Sequence, residues 1–370
     1  METQVTPNTF CTYTGPPAET EVTVFFISGN PGLISYYHPF LSLLAQNLAS
    51  THEQDQSPGN PFPCQIYGCS LGGFEIETDD ASTRPSPQPK KHDGDQHHSQ
   101  DQSRTLDYYD LEDQIHFIHR KLTALMRANA ASNPELASRR QKVVLIGHSV
   151  GAYMAMEILR RHREATFNPQ PTAGSQPSEL KQKQAEFDIV GGVMLFPTVV
   201  DIAASPSGRK LTTLLSFIPQ LALVVGLLAK LLTLLLPARV LRGLIVTVMR
   251  DPPVHALDTT FAFLKSSKGV TQALHMAADE MRAITSDRWT DDVWGVGQEE
   301  SVAQMYFYFG RNDHWVAETT RNEIIALRGE QGSGPTMFVC EEGLPHAFCL
   351  KHNDTMARKV ARMIREIQSE

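Results

Sequence analysis

Three residue types in one chain order could together carry out acyl transfer: a serine between glycines, then an aspartate, then a histidine. They are Ser149 in Gly147-His148-Ser149-Val150-Gly151, Asp313 in Gly310-Arg311-Asn312-Asp313-His314-Trp315, and His346 in Gly343-Leu344-Pro345-His346-Ala347-Phe348. A serine hydroxyl is a weak nucleophile until a base takes its proton. A histidine serves best as that base when a carboxylate fixes its tautomer. The five residues around Ser149 have the form of a nucleophile elbow, where a strand hands over to a helix through one strained residue and the flanking glycines relieve the crowding. The same turn points the backbone N–H of Val150, at a helix N-terminus, toward a developing oxyanion.

Taken alone, the pentapeptide is equally satisfied by two turn glycines and a helix-capping serine, so its flanks must decide. Val143–Ile146 is a short apolar run suited to a buried strand. Beyond the turn, Ala152, Ala155, Met156, Ile158 and Leu159 recur at helical spacing, with Arg160, Arg161 and Arg163 toward the negative end of the helix dipole. A second match, Gly68-Cys69-Ser70-Leu71-Gly72, follows a possible strand at Gln65–Tyr67 but leads into Glu75, Glu77, Asp79 and Asp80 without helical periodicity. Without a helix there is no elbow, and Ser70 is read as a loop serine.

The partners need strand ends. Glu21–Ser28 is β-branched and aromatic, ends at Gly29-Asn30-Pro31-Gly32, and precedes a helical pattern over Tyr36–Ala49 with Phe40, Leu43, Leu44 and Leu48 on one face. A second oxyanion donor belongs in such a turn, and because Pro31 has no N–H the candidate is the backbone N–H of Asn30. Ala303–Phe309 reads as a strand with Asp313 in the loop beyond it. Thr336–Cys340 reads as the last strand, with His346 beyond it and a final helix over Asp354–Ile367. Catalytic groups in open α/β sheets sit beyond such strand ends. Asp313 alone could be a turn-capping aspartate and His346 alone a loop histidine; order and placement together favour the pair. Asp201 is the second choice of acid, while His255, His275, His314 and His352 are weaker bases because none follows the last strand.

With a further strand at Asp188–Leu195 and a helix carrying Leu111, Ile115, Ile118 and Leu122, the alternation predicts an α/β fold with a mostly parallel sheet covered on both faces. At 370 residues the chain fits one elaborated domain. Residues 1–200 and 286–370 would form its two core parts, and 201–285 an apolar insertion. The polar tracts at about 75–105 and 168–185 are expected to be disordered, and His92, His97 and His98 in the first lack a ligand frame for a metal. The net charge of −8, without a Lys/Arg tract, disfavours nucleic acid. Five scattered cysteines and an N-terminus without an apolar run point to reduced thiols and a cytosolic address. The proposed chemistry needs no metal and no organic cofactor.

Residues 211–249 are the most unusual stretch, LTTLLSFIPQLALVVGLLAKLLTLLLPARVLRGLIVTVM. Leu211–Ala229 carries no charge over about 19 residues, close to the ~20 that span a bilayer. A single crossing would put Ser149 and His346 in different compartments and is incompatible with a joint site. The breaks at Pro219-Gln220, Lys230 and Pro237-Ala238-Arg239 favour a hairpin or interfacial helices in one leaflet, with Lys230, Arg239, Arg242 and Arg250 at the headgroups. The alternative is a buried cap over the site.

The chain resembles the lipid droplet-associated hydrolase family, a branch of the α/β-hydrolases. The resemblance rests on Ile27-Ser28-Gly29-Asn30-Pro31-Gly32 with Tyr36-Tyr37, on Gly147-His148-Ser149-Val150-Gly151-Ala152-Tyr153, on Asp313 with Trp315, and on Pro345-His346-Ala347-Phe348. It implies an esterase or lipase-like enzyme of lipid droplets and the endoplasmic reticulum, on the cytosolic face, with sterol esters as substrates and acylglycerols as an option. It also implies Ser149, Asp313 and His346 as the triad, and attachment through the hydrophobic segment 211–249. The two polar insertions depart from the family pattern. A droplet organiser using the fold as a scaffold is the competing expectation.

Overall fold

The computed structural model describes residues 3–17, 20–50, 61–76, 108–133, 140–167, 187–218, 220–297, 302–329 and 334–369. The predicted insertion at 168–185 lies outside them, as does that at 75–105 apart from Glu75 and Ile76.

The elements follow in the order β1 (Gln4–Thr6), β2 (Thr9–Tyr13), β3 (Val22–Ile27), α1 (His38–Ala49), β4 (Cys64–Cys69), α2 (Leu111–Ser132), β5 (Gln141–His148) and α3 (Val150–Phe167). Next come β6 (Phe187–Leu195), α4 (Pro206–Phe217), α5 (Leu221–Leu235), α6 (Ala238–Met249), α7 (Val254–Lys265), α8 (Gly269–Ala283) and the single turn α9 (Asp291–Trp294). The chain ends with β7 (Gln304–Phe309), α10 (Glu318–Ile324), β8 (Thr336–Val339) and α11 (Asn353–Ser369). The strands form one sheet in the order β1-β2-β4-β3-β5-β6-β7-β8, with β1, β2 and β4 joined antiparallel and all other pairs parallel.

Parallel strands buried on both faces need apolar residues at successive positions, and β3 is buried throughout. Its side chains alternate between two cores. Phe25 and Ile27, with Val143 and Leu145 of β5, meet Ile115, Ile118 and Leu122 of α2 and Met156 of α3. Val24 and Phe26, with Val144 and Ile146, meet Phe40, Leu44 and Leu48 of α1 and Val360 and Ile364 of α11. The period of two along each strand thus divides the helices into two layers. At the start of α2, Asp110 accepts from the Asp113 N–H (2.8 Å) while the Asp113 carboxylate accepts from the Asp110 N–H, a reciprocal cap that fixes where this helix begins.

The β1–β2 pair was not anticipated. Thr9–Tyr13 alternates buried and half-buried positions and joins the edge strand β4, a period-two signal carried by only five residues.

Residues 211–249 form parts of three helices, α4 to α6. Among the described residues no single helix is long and apolar enough to cross a membrane; α4 and α5 pass that test only together, bent by 93° at their junction. Helices α4 to α8 stand beyond the C-terminal ends of the central strands. Polar ties bind them to the core: the Gln272 amide exchanges two hydrogen bonds with the Tyr109 backbone (2.9 and 2.8 Å), the Leu111 N–H donates to Asp279 (3.0 Å), and Tyr36 Oη meets Thr260 Oγ1 (2.8 Å).

Candidate active site

Ser149 sits at the tip of the turn between β5 and α3 with φ 56°, the left-handed conformation that a side chain adopts only when its surroundings enforce it. Its N–H donates to the Leu195 carbonyl at the end of β6 (2.9 Å), and its own carbonyl accepts from Ala152 N–H (3.0 Å). The glycines are required by contact. A Cβ on Gly151 would run into the Ile27 and Ser28 carbonyls, and one on Gly147 would stand 2.5 Å from the Ala152 Cα.

Asp313, beyond β7, and His346, beyond β8, converge on that tip. His346 Nδ1 lies 3.0 and 2.8 Å from the two Asp313 oxygens, and its Nε2 lies 2.9 Å from Ser149 Oγ. A carboxylate only accepts, so the proton belongs on Nδ1, leaving Nε2 to accept from the serine hydroxyl. Asp313 is held by a second donor, the Trp315 N–H (2.8 Å), and its side chain is only 2% exposed.

The other expected residues fall as follows. Asn30 lines the same cavity as Ser149 and His346. Val150 is buried in the first turn of α3. Asp201 precedes a short turn at Ile202–Ala204 without capping it through its side chain, and His346 Nδ1 is bonded to Asp313. His255 bonds the Cys349 carbonyl (3.2 Å) instead of a serine. Ser70 follows β4 without a helix, and its hydroxyl accepts from the Ile34 N–H (3.2 Å), as a structural serine does.

Three residues of the site were not singled out beforehand. His148, buried beside the nucleophile, has its Nε2 2.9 Å from the His346 carbonyl and its Nδ1 2.8 Å from Tyr37 Oη. Burial, helped by the neighbouring His346, pushes its ring pKa down to about 3, so it is neutral. Tyr37 in turn accepts from the Gly29 N–H (3.3 Å). A histidine at the buried end of a strand must find partners for both nitrogens, and the Tyr36-Tyr37 pair was the available signal. Glu280 of α8, also buried, accepts from the Asn30 side chain (3.0 Å), and burial raises its carboxyl pKa to about 8. On an amphipathic helix it is indistinguishable in sequence from a surface acid.

These groups line a cavity of about 470 Å³, within the range of small-molecule sites. Leu211, Met249, Leu274 and Ala277, from α4, α6 and α8, make its roof apolar. Such a cavity places an apolar wall beside a nucleophile and a base already in hydrogen-bond contact.

Comparison with known proteins agrees in family and in fold. The family model for lipid-droplet associated hydrolase matches residues 20–349. The lipid droplet-associated hydrolase of Mus musculus is 25% identical over 341 residues, spanning 92% of this chain and 84% of that protein. Its counterpart in Homo sapiens is 25% identical over 346 residues, spanning 93% and 84%. Among solved structures, the 2-hydroxy-6-oxo-6-phenylhexa-2,4-dienoate hydrolase of a Rhodococcus species superposes with a TM-score of 0.53 at 13% identity, covering 98% of this chain and 100% of that one. A membrane phospholipase A described as a bacterial virulence factor gives 0.53 at 12%, covering 100% and 87%. At such identities the structural likeness speaks for the α/β-hydrolase fold alone. With a match running from residue 20 to 349 and the fold in agreement, the chain belongs to the lipid droplet-associated hydrolase family.

Proposed function

We propose that the protein is a serine hydrolase of lipid carboxylic esters that works at the surface of lipid droplets and the endoplasmic reticulum, on the cytosolic face. The observation that carries this reading is the unbroken hydrogen-bonded chain from Asp313 through His346 to Ser149 on the floor of an apolar cavity. Ser149 would attack the acyl carbonyl as its proton passes to His346 Nε2. The N–H groups of Asn30 and Val150 would hold the oxyanion, and Asp313 would stabilise the imidazolium. Collapse of the tetrahedral intermediate breaks the bond to the alkoxy oxygen, and His346 returns the proton to the departing alcohol. Water, deprotonated by the same histidine, then frees the acid and restores the serine. Sterol esters are the substrates implied by the family resemblance, and acylglycerols fit the same chemistry.

Attachment to lipid is supported by the outer face of α4 to α6, where Phe217, Leu234, Leu235 and Val248 are 72–81% exposed. An apolar face of this kind above a site for apolar esters delivers substrate without an aqueous step.

The test is labelling of the purified protein by a fluorophosphonate probe, with droplets or detergent present, in wild type and Ser149→Ala. Labelling that disappears in a folded Ser149→Ala variant is the expected result. A wild type that stays unlabelled in every lipid condition would favour a droplet-organising scaffold in its place.

A further inference from the structure

Among the polar groups of described residues that line the cavity and take no part in acyl transfer, Glu280 is the one carboxyl group. Glu280, 5% exposed on α8, lines the cavity among apolar neighbours on its own helix, Leu274 and Ala277. Its Oε1 accepts from Asn30 Nδ2 (3.0 Å), and that amide also donates to the Ala273 carbonyl (2.9 Å). Glu280 lines the same cavity as Ser149 and His346, and the residue it binds, Asn30, follows Gly29, which packs against Ser149: a Cβ built on Gly29 would stand 2.9 Å from Ser149 Cβ. Burial first and the adjacent Asp279 second push the carboxyl up to about 8, against the pull of Asn30. At neutral pH it is therefore chiefly a carboxylic acid, offering one O–H donor together with acceptor lone pairs, the complement of an alcohol.

We infer that Glu280 determines specificity by binding a hydroxyl or second ester oxygen beside the scissile bond, so that the preferred substrates are esters of polyols, acylglycerols above all, over sterol esters. This rests on the esterase reading of Ser149. A sterol ester brings two oxygens, and the reaction engages both: the carbonyl oxygen faces the oxyanion donors and the alkoxy oxygen faces His346. The rest is hydrocarbon, and it would bury the Glu280 O–H without an acceptor. A glycerol ester carries another oxygen on the carbon next to the one bearing the alkoxy oxygen, free to bond the wall. Sites built to bond a substrate hydroxyl discriminate strongly against analogues that lack it, and for one such contact about 10- to 100-fold is expected.

The experiment compares kcat/KM of the full-length protein in mixed micelles for 1-oleoylglycerol, propyl oleate and cholesteryl oleate. The first two share the acyl group and differ only in the hydroxyls. Wild type should prefer 1-oleoylglycerol over propyl oleate by about 10- to 100-fold. Glu280→Leu should bring that ratio near one, and Glu280→Gln, isosteric and still able to donate and accept, should keep most of it. Fluorophosphonate labelling of Ser149 reports whether each variant is folded. A wild-type ratio near one, or a Glu280→Leu variant that slows on all three esters equally, would overturn the inference while leaving the esterase reading intact. Failure of wild type both to label and to hydrolyse any ester would overturn both.

Discussion

His148 shows how much of the site depends on a residue that need not touch substrate. Its Nε2 faces a carbonyl, which only accepts, so the proton is on Nε2 and Nδ1 accepts from the Tyr37 hydroxyl. A relay therefore runs from the Gly29 N–H through Tyr37 and His148 to the backbone of His346, joining the oxyanion turn to the loop of the base. His148→Leu fills similar space and leaves the His346 carbonyl without its donor and the Tyr37 O–H without its acceptor, costing about 1–3 kcal/mol of stability. Displacement of the base should lower kcat by about 10- to 100-fold with little change in KM. The ring titrates near its ordinary value when unfolded but only near pH 3 when folded. Its contribution is accordingly complete above about pH 6.5 and is lost as pH falls toward 3. Thermal unfolding across that window should show a shallower acid-side decline in His148→Leu than in wild type. An unchanged slope would mean that the buried ring is not held neutral.

At the scale of elements, the roof depends on close helix approach. Gly226 of α5 is buried against α8, and a Cβ there would collide with Thr271 Oγ1. Gly226→Ala should cost about 1–3 kcal/mol through overpacking. In a Thr271→Ala background, where the hydroxyl is gone and the nearest remaining side-chain atom is 3.3 Å away, most of that loss should be recovered. Chemical denaturation of the four proteins of this cycle gives the coupling, and full additivity would mean that α5 and α8 do not meet through this pair. The same helices show what sequence conveys and what it omits. Strands β3, β5, β6 and β7 were legible because burial on both faces demands continuous apolar runs; Ser149 and Asp313 were read from the C-terminal ends of such runs, and His346 from the end of the short edge strand β8, whose residues are exposed or half-buried. Gly226 reads as a helix weakness until α8 lies against it. Glu280 and Asn30 meet across 250 residues, a juxtaposition that no local pattern encodes. The hydropathy of 211–249 announced an unusual surface, while the division between roof and outer face emerges only from packing.

Over the whole molecule, charge and hydropathy are distributed to one end. The chain carries a net −8, yet residues 206–250 contain Arg209, Lys210, Lys230, Arg239, Arg242 and Arg250 with no aspartate or glutamate. Of these, Arg242 is paired with Asp258 (2.6 Å), and Lys230, Arg239 and Arg250 are exposed beside the apolar face. Leucines at positions 227 and 234, two turns apart on α5, are 59% and 81% exposed. An interfacial helix gains its affinity chiefly from such side chains, with cations adding a salt-dependent share from anionic headgroups. The double variant Leu227→Asp/Leu234→Asp should lose at least about 100-fold in binding to artificial droplets, measured by flotation, given ~1.5–3 kcal/mol for each fully buried leucine. Because both positions face away from the cavity lining, fluorophosphonate labelling of Ser149 in detergent should persist, separating attachment from chemistry. Lys230→Glu should weaken flotation only on droplets containing acidic phospholipid, and only at low salt. Flotation that survives the double substitution would exclude this face of α5 as the attachment surface and leave the apolar faces of α4 and α6 to account for it.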